Sequence, residues 1–196
     1  ESFENFASLV KSGGYLVVRK GLDLTFKLDK NVKLYSYSAD EGDFHAKNIK
    51  IQNGEITFDF VTPKETVENI KLGVPVKINI ENSVGAMALA YLAGVKPDEL
   101  RNAMATYAGI RRRFEFQVKT DKIVYIDDYA HHPTELTASI SSIKALYPDR
   151  KICGIFQPHL YSRTKDFCDE FAKSLSLLDE LILLDIYPAR EKPIEG

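Results

Sequence analysis

Between a hydrophobic run and a proline, the chain carries Asp127-Asp128-Tyr129-Ala130-His131-His132-Pro133-Thr134-Glu135, in which two adjacent carboxylates, a phenol and two imidazoles crowd a single turn. Imidazole accepts a proton near neutral pH, and a carboxylate accepts hydrogen bonds from hydroxyls, so the stretch suits proton transfer and polar-ligand binding. Packing gives no reason for so many titratable groups in one place. Asp127, Asp128, His131 and His132 are also metal-ligand types, which leaves a metal-dependent hydrolase open as an alternative. Neighbours in a turn rarely converge on one ion, however, and only Asp128 and His131 have a helpful separation. Two further groups carry chemistry. Gln157-Pro158-His159-Leu160-Tyr161-Ser162-Arg163 adds an imidazole and a guanidinium, and Asn79-x-x-Asn82 pairs two amides that each offer a donor and an acceptor.

Regular elements must hold these groups. Ile123-Val124-Tyr125-Ile126 reads as a buried strand, and Leu136, Ile140 and Ile143 recur on one helical face after Pro133. A residue before proline avoids the helical region, so His132 is expected to be extended with Pro133 in the first helical turn. The polar turn then lies at the carboxyl end of a strand and beside a helix amino terminus, where open α/β sheets bind ligands and free N–H groups favour anions. Strand 123–127, helix 133–147, strand 151–156, helix 161–178 and strand 180–186 form a βαβαβ series, half of a Rossmann-like parallel sheet. Its strands should end at one edge, bringing together residues 127–132, 157–163 and 187–190. Neither G-x-G-x-x-G nor G-x-x-x-x-G-K-[ST] occurs in the chain.

The earlier half reads differently. Phe3, Phe6, Leu9 and Val10 make a helical stripe closed by Gly13-Gly14, followed by strands near 15–18 and 33–38. Residues 44–51 and 56–61 flank Asn53-Gly54 as a β-hairpin with a type I′ turn; Thr62-Pro63-Lys64-Glu65 is a further turn, and 67–76 a further strand. His45 lies in this hairpin and is read as structural. Asn79 and Asn82 share the first turn of a helix; capping explains one of them, and a pair points to a planar polar ligand. The boundary between the halves falls near Ile110–Arg113.

Composition narrows the function classes. In 196 residues, 44% hydrophobic, the formal net charge is −2 with charges interspersed, which gives no footprint for nucleic acid or an anionic membrane. Arg111-Arg112-Arg113 is the one basic run and reads first as a domain-joining turn. Cys153 and Cys168 show no zinc spacing and read as reduced filler in a cytosolic protein. No stretch reaches the roughly 20 apolar residues of a membrane span. The chain opens at Glu1 inside a helical pattern and stops at Gly196 just after a strand, which reads as a piece of something longer.

With these pieces in place the chain resembles the Mur ligases of peptidoglycan synthesis. The resemblance rests on Asn79-x-x-Asn82, on Gly109-x-x-Arg112-Arg113-Phe114-Glu115, on Asp127 to Glu135, and on Phe156-Gln157-Pro158-His159-x-Tyr161-Ser162-Arg163-Thr164. It implies an α/β fold in two parts: residues 1–111 as the later part of a central ATP-binding domain, a mixed sheet with an antiparallel hairpin, and 112–196 as the first part of a Rossmann-like carboxyl-terminal domain that binds the amino acid. It implies a bacterial cytoplasmic enzyme in which ATP phosphorylates a carboxylate and an amino group attacks the acyl phosphate. Asn79, Asn82, Arg113 and Asp128 would then bind ATP; Tyr129, His131, His132, His159 and Arg163 would line the amino-acid side; Arg113 and His131 would act in catalysis. The small-molecule partners implied are UDP-N-acetylmuramate and L-alanine. The phosphate loop, most magnesium ligands and a UDP-sugar domain would precede Glu1, so these 196 residues alone are not expected to turn over. Two positions depart from the family pattern: Ile78 stands where a histidine is common, and Leu160 where a basic residue is. A ligase that recycles muropeptides, within the same superfamily, remains an alternative.

Overall fold

The computed structural model describes residues 2–193. It divides into two compact units, one of residues 1–51 and 55–108, the other of residues 52–54 and 109–196.

The first unit begins with α1 (Ser2–Ser8), β1 (Tyr15–Arg19) and β2 (Lys33–Tyr37), the two strands pairing in parallel. The helix is shorter than its apolar pattern, and Phe3, Phe6 and Leu9 are exposed, with only Ala7 buried. β3 (His45–Gln52), β4 (Glu55–Val61) and β5 (Thr66–Lys71) form a three-stranded sheet in that order. Asn53 and Gly54 both have positive φ, 53° and 71°, as a type I′ turn requires. Alternation along β4 sends Ile56, Phe58 and Phe60 into the core beside Val67 and Ile70 of β5. β5 stops earlier than its sequence pattern because Gly73 turns against another segment, its N–H donating to the Met104 carbonyl at 2.9 Å. α2 (Ile78–Leu92) follows, burying Ile80, Val84, Met87 and Ala88, and ends at Gly94 with φ 94°. α3 (Pro97–Thr106) starts on a proline and buries Leu100.

The second unit opens with β6 (Glu115–Lys119), which pairs antiparallel with β7 (Val124–Asp127) across a tight turn closed by Thr120 N–H to Ile123 O at 2.9 Å. The sequence reading left out β6, although Phe116 and Val118 alternate there with polar residues. α4 (Pro133–Leu146) follows β7, then β8 (Cys153–Phe156), α5 (Tyr161–Asp166), α6 (Cys168–Leu175) and β9 (Glu180–Leu183), with β8 and β9 in parallel. Of the three strands expected in parallel, β8 and β9 pair so, whereas β7 pairs antiparallel with β6. The long helix expected over 161–178 is broken at Phe167, whose φ −118° and ψ 26° leave the helical region. Leu136, Ile140, Phe156, Phe171 and Leu175 form the core, with Phe167 and Leu178 packed on it. Both cysteines are free and exposed, so neither fills the interior as expected.

Candidate functional site

β7 runs directly into the polar turn, and each residue there is held by a short-range device. His132 is extended, φ −120° and ψ 145°, and Pro133 opens α4. Glu135 sits at the third helical position and turns back: its Oε2 accepts the N–H groups of His131 at 3.0 Å and His132 at 3.2 Å. This is a capping box that ties both histidine backbones to the helix start. The His132 Nδ1 accepts the Thr134 N–H at 3.3 Å, and its ring meets Phe167 edge-on at 4.9 Å between centroids.

Tyr129 is fastened by its own N–H to the Arg112 carbonyl at 2.7 Å. Its ring, 45% exposed, carries the guanidinium carbon of Arg112 at 5.1 Å and that of Arg113 at 5.8 Å from the centroid, with the His131 ring at 5.2 Å. Such approaches are cation–π contacts. Arg112 lies 3.8 Å from Asp127, and Arg113 lies 3.9 Å from Glu135. Partial burial pushes the Glu135 carboxyl up, but the N–H and imidazole of His131, the N–H of His132 and the Arg113 guanidinium outweigh it and hold the carboxyl below its ordinary range. Arg112 and Phe114 both have positive φ, 58° and 49°, so the entry to this unit is conformationally costly and fixed by its contacts.

The two aspartates face different partners. Asp128 is turned onto α4, accepting the buried Ser139 hydroxyl at 2.7 Å and the Ala130 N–H at 3.2 Å, one on each oxygen. Asp127 is the one directed at a guanidinium. Asp128 is the one expected to bind ATP; on contacts alone it is the more tightly tied of the two, with one acceptor lone pair per oxygen still unused.

His159 lies in the loop between β8 and α5, and Arg163 in α5 itself. The His159 ring stacks on Tyr187 at 5.5 Å and 26°, and the segments are sewn by Leu160 N–H to Tyr187 O at 3.0 Å and Tyr187 N–H to Pro158 O at 2.8 Å. Leu160 takes φ 74° there. The Ser162 hydroxyl and N–H both donate to Glu191, which holds that carboxyl low, the hydroxyl contributing most. Arg163 is half-buried with no side-chain partner among the described residues. The contacts bring Tyr129, His131 and Arg113 into one cluster and place His132 against Phe167; those of His159 run to Tyr187 instead. Arg112, Glu135, Ser139, Tyr187 and Glu191 were missed as site residues, although the His132-to-Glu135 spacing is that of a capping box. Among the described residues no group of three or more His, Cys, Asp or Glu side chains is arranged to hold a metal ion.

In the first unit, α2 begins with no side-chain cap, so capping explains neither asparagine. Asn79 donates to the Val74 carbonyl and accepts from the Asn82 amide, both at 3.2 Å. Asn82 is exposed and keeps its carbonyl oxygen and one N–H free for a ligand. Glu81, between them, is paired with Arg19.

Comparison with known proteins places these observations. Residues 112–195 match the family model described as Mur ligase, glutamate ligase domain. Over its whole length the chain is 61% identical to a UDP-N-acetylmuramate--L-alanine ligase of Parabacteroides distasonis, covering 43% of that protein. It is 39% identical to the protein of that name from Cytophaga hutchinsonii, covering 42%. The chain therefore spans less than half the length of the curated relatives it matches. Among solved structures, UDP-N-acetylmuramate-alanine ligase MurC from Thermotoga maritima superposes with a TM-score of 0.68 at 26% identity, over 78% of this chain and 34% of that one. Folylpolyglutamate synthetase from Lactobacillus casei shares the fold, with a TM-score of 0.70 at 15% identity over 97% of this chain and 47% of that one. Residues 112–195 thus form a Mur ligase domain, and along its whole length the chain is similar to Mur ligases.

Proposed function

We propose that the full-length protein joins L-alanine to UDP-N-acetylmuramate in the bacterial cytoplasm, through an acyl phosphate made with ATP. The observation that carries this reading is the cluster on Tyr129, where two guanidiniums, at 5.1 and 5.8 Å, and an imidazole, at 5.2 Å, surround one ring. The γ-phosphoryl group passes to the substrate carboxylate, releasing ADP; the amine then attacks the acyl carbon, phosphate leaves, and the amine proton goes to His131. Charge developing on the phosphoryl and acyl oxygens calls for fixed cations, which Arg113 and Arg163 supply. Residues 1–111 are the later part of the ATP-binding domain, with Asn79, Asn82, Arg113 and Asp128 meeting ATP. Residues 112–196 begin the amino-acid-binding domain, with Tyr129, His131, His132, His159 and Arg163 on that side. Magnesium, which the ATP reaction implies, would find no group of three or more His, Cys, Asp or Glu side chains among the described residues.

The test incubates the full-length protein with ATP, magnesium, UDP-N-acetylmuramate and single amino acids while ADP release is followed. Release with L-alanine and not with other amino acids or a tripeptide is expected. Release with a tripeptide in preference to L-alanine would replace this reading by the muropeptide-recycling one.

A further inference from the structure

We propose that the neighbouring imidazoles are fixed in opposite tautomers, His131 protonated on Nδ1 and His132 on Nε2, with Glu135 as the positioning residue that sets the first. The mechanistic meaning rests on the reading above, in which this turn serves the amino-acid half of the reaction. The His131 Nδ1 faces only acceptors: the Tyr129 carbonyl oxygen at 3.0 Å and Glu135 Oε2 at 3.4 Å. A lone pair on that nitrogen would confront two oxygens, whereas a proton satisfies both. The His132 Nδ1 faces the opposite case. Its neighbour is the Thr134 N–H at 3.3 Å, which only donates, so this nitrogen carries the lone pair and the proton sits on Nε2.

The two rings therefore present unlike atoms. His131 offers a bare Nε2, a proton acceptor, and His132 offers an Nε2–H, a donor, and neither Nε2 has a partner among the described residues. A substrate with an amine and a neighbouring anionic oxygen matches that pair: the amine gives its proton to His131 while the oxygen takes the N–H of His132. Glu135 acts on the His131 ring and on both histidine backbones through one oxygen, since the Oε2 that faces His131 Nδ1 also holds the two backbone N–H groups. Its carboxyl is held ionised by these donors and by Arg113, and a charged acceptor favours the Nδ1 proton.

The full-length protein labelled with 15N-histidine, at about pH 8.5 and so above the ordinary imidazole range, reports each tautomer through long-range 1H–15N correlations. His131→Gln and His132→Gln assign the two rings. The expected spectrum shows Nδ1–H for His131 and Nε2–H for His132. In Glu135→Gln the amide oxygen keeps both backbone hydrogen bonds but lacks the charge; the Nε2–H population of His131 should rise roughly threefold or more, with His132 unchanged. The same tautomer on both wild-type rings overturns the proposal, and so does a His131 spectrum that Glu135→Gln leaves unmoved. The wild-type spectrum decides the tautomers even if the variant does not fold. Failure of ADP release with L-alanine would sink the functional reading and leave these spectra as they are.

Discussion

Tyr129 separates two explanations of the same residue, because its hydroxyl and its ring have different surroundings. The hydroxyl has no hydrogen-bond partner among the described residues, while the ring holds Arg112 at 5.1 Å and Arg113 at 5.8 Å. Exposed cation–π contacts are worth about 0.5 to 1 kcal/mol each, so Tyr129→Ala should release about 1 to 2 kcal/mol of guanidinium positioning. If Arg113 meets ATP, the share of that loss on Arg113, about 0.5 to 1 kcal/mol, enters ATP use, and at roughly tenfold per 1.4 kcal/mol it amounts to a rise of about 2- to 5-fold in KM for ATP. Tyr129→Phe keeps the ring and should stay within about twofold of wild type. Steady-state ADP release by the full-length protein, with ATP varied at saturating co-substrates, measures both. Equal damage from the two substitutions would mean that the hydroxyl does the work and that the guanidinium platform has been given the wrong role; no damage from either would remove Tyr129 from the site.

Three other perturbations address the scaffold. Ser139→Ala deletes the buried donor to Asp128; hydrogen bonds to charged groups are worth about 1.5 to 3 kcal/mol, and half-exposure of the carboxylate lets water recover part, so a loss of about 1 to 2 kcal/mol in urea denaturation is expected, and a loss below about 0.5 would contradict the contact. Gly73→Ala would set a Cβ 2.1 Å from the Tyr107 carbonyl oxygen, a backbone clash that no rotamer relieves. It should cost about 2 kcal/mol or more, read as a lower Tm, and an unchanged Tm would show that this turn yields freely. Asp59 accepts the Asn48 amide at 2.7 Å and the Asn69 N–H at 2.9 Å, and these, the side-chain amide first, hold its carboxyl below the ordinary range. A lowered carboxyl stabilises the fold fully above the unfolded-state value, about 4, and ceases to do so as pH falls through the folded-state value. Asp59→Asn should therefore flatten the loss of urea midpoint on acidification below about pH 4; an identical acid slope in both proteins would remove Asp59 from the acid response.

The parts legible from sequence were those whose cause is local. Pro133 dictated the extended His132, Asn53-Gly54 dictated the hairpin turn, and the spacing of Leu136 and Ile140 placed the α4 side of the core of the second unit. Where the cause was a distant partner, periodicity was blind. Nothing in residues 161–178 announces a break at Phe167, because the apolar spacing continues across it. β6 went unread although Phe116 and Val118 alternate with Glu115, Gln117 and Lys119, because five residues give a short signal; it is held by pairing with β7. The site shows the same divide. The titratable turn stood out by composition, whereas Arg112 and Glu135 became visible only once Tyr129 and the histidine backbones showed what they hold.

The break at Phe167 uncouples two lengths. Because α6 restarts with Phe171 N–H on the Phe167 carbonyl at 2.8 Å, the positions of Phe171 and Leu175 are counted from Phe167 and not from Tyr161. An insertion or deletion within 161–166 would shift Ser162 and Arg163 while the core kept its phase. The segment that carries Arg163, whose guanidinium has no partner among the described residues, is thus a stretch that evolution or a designer can lengthen without repacking the helix behind it.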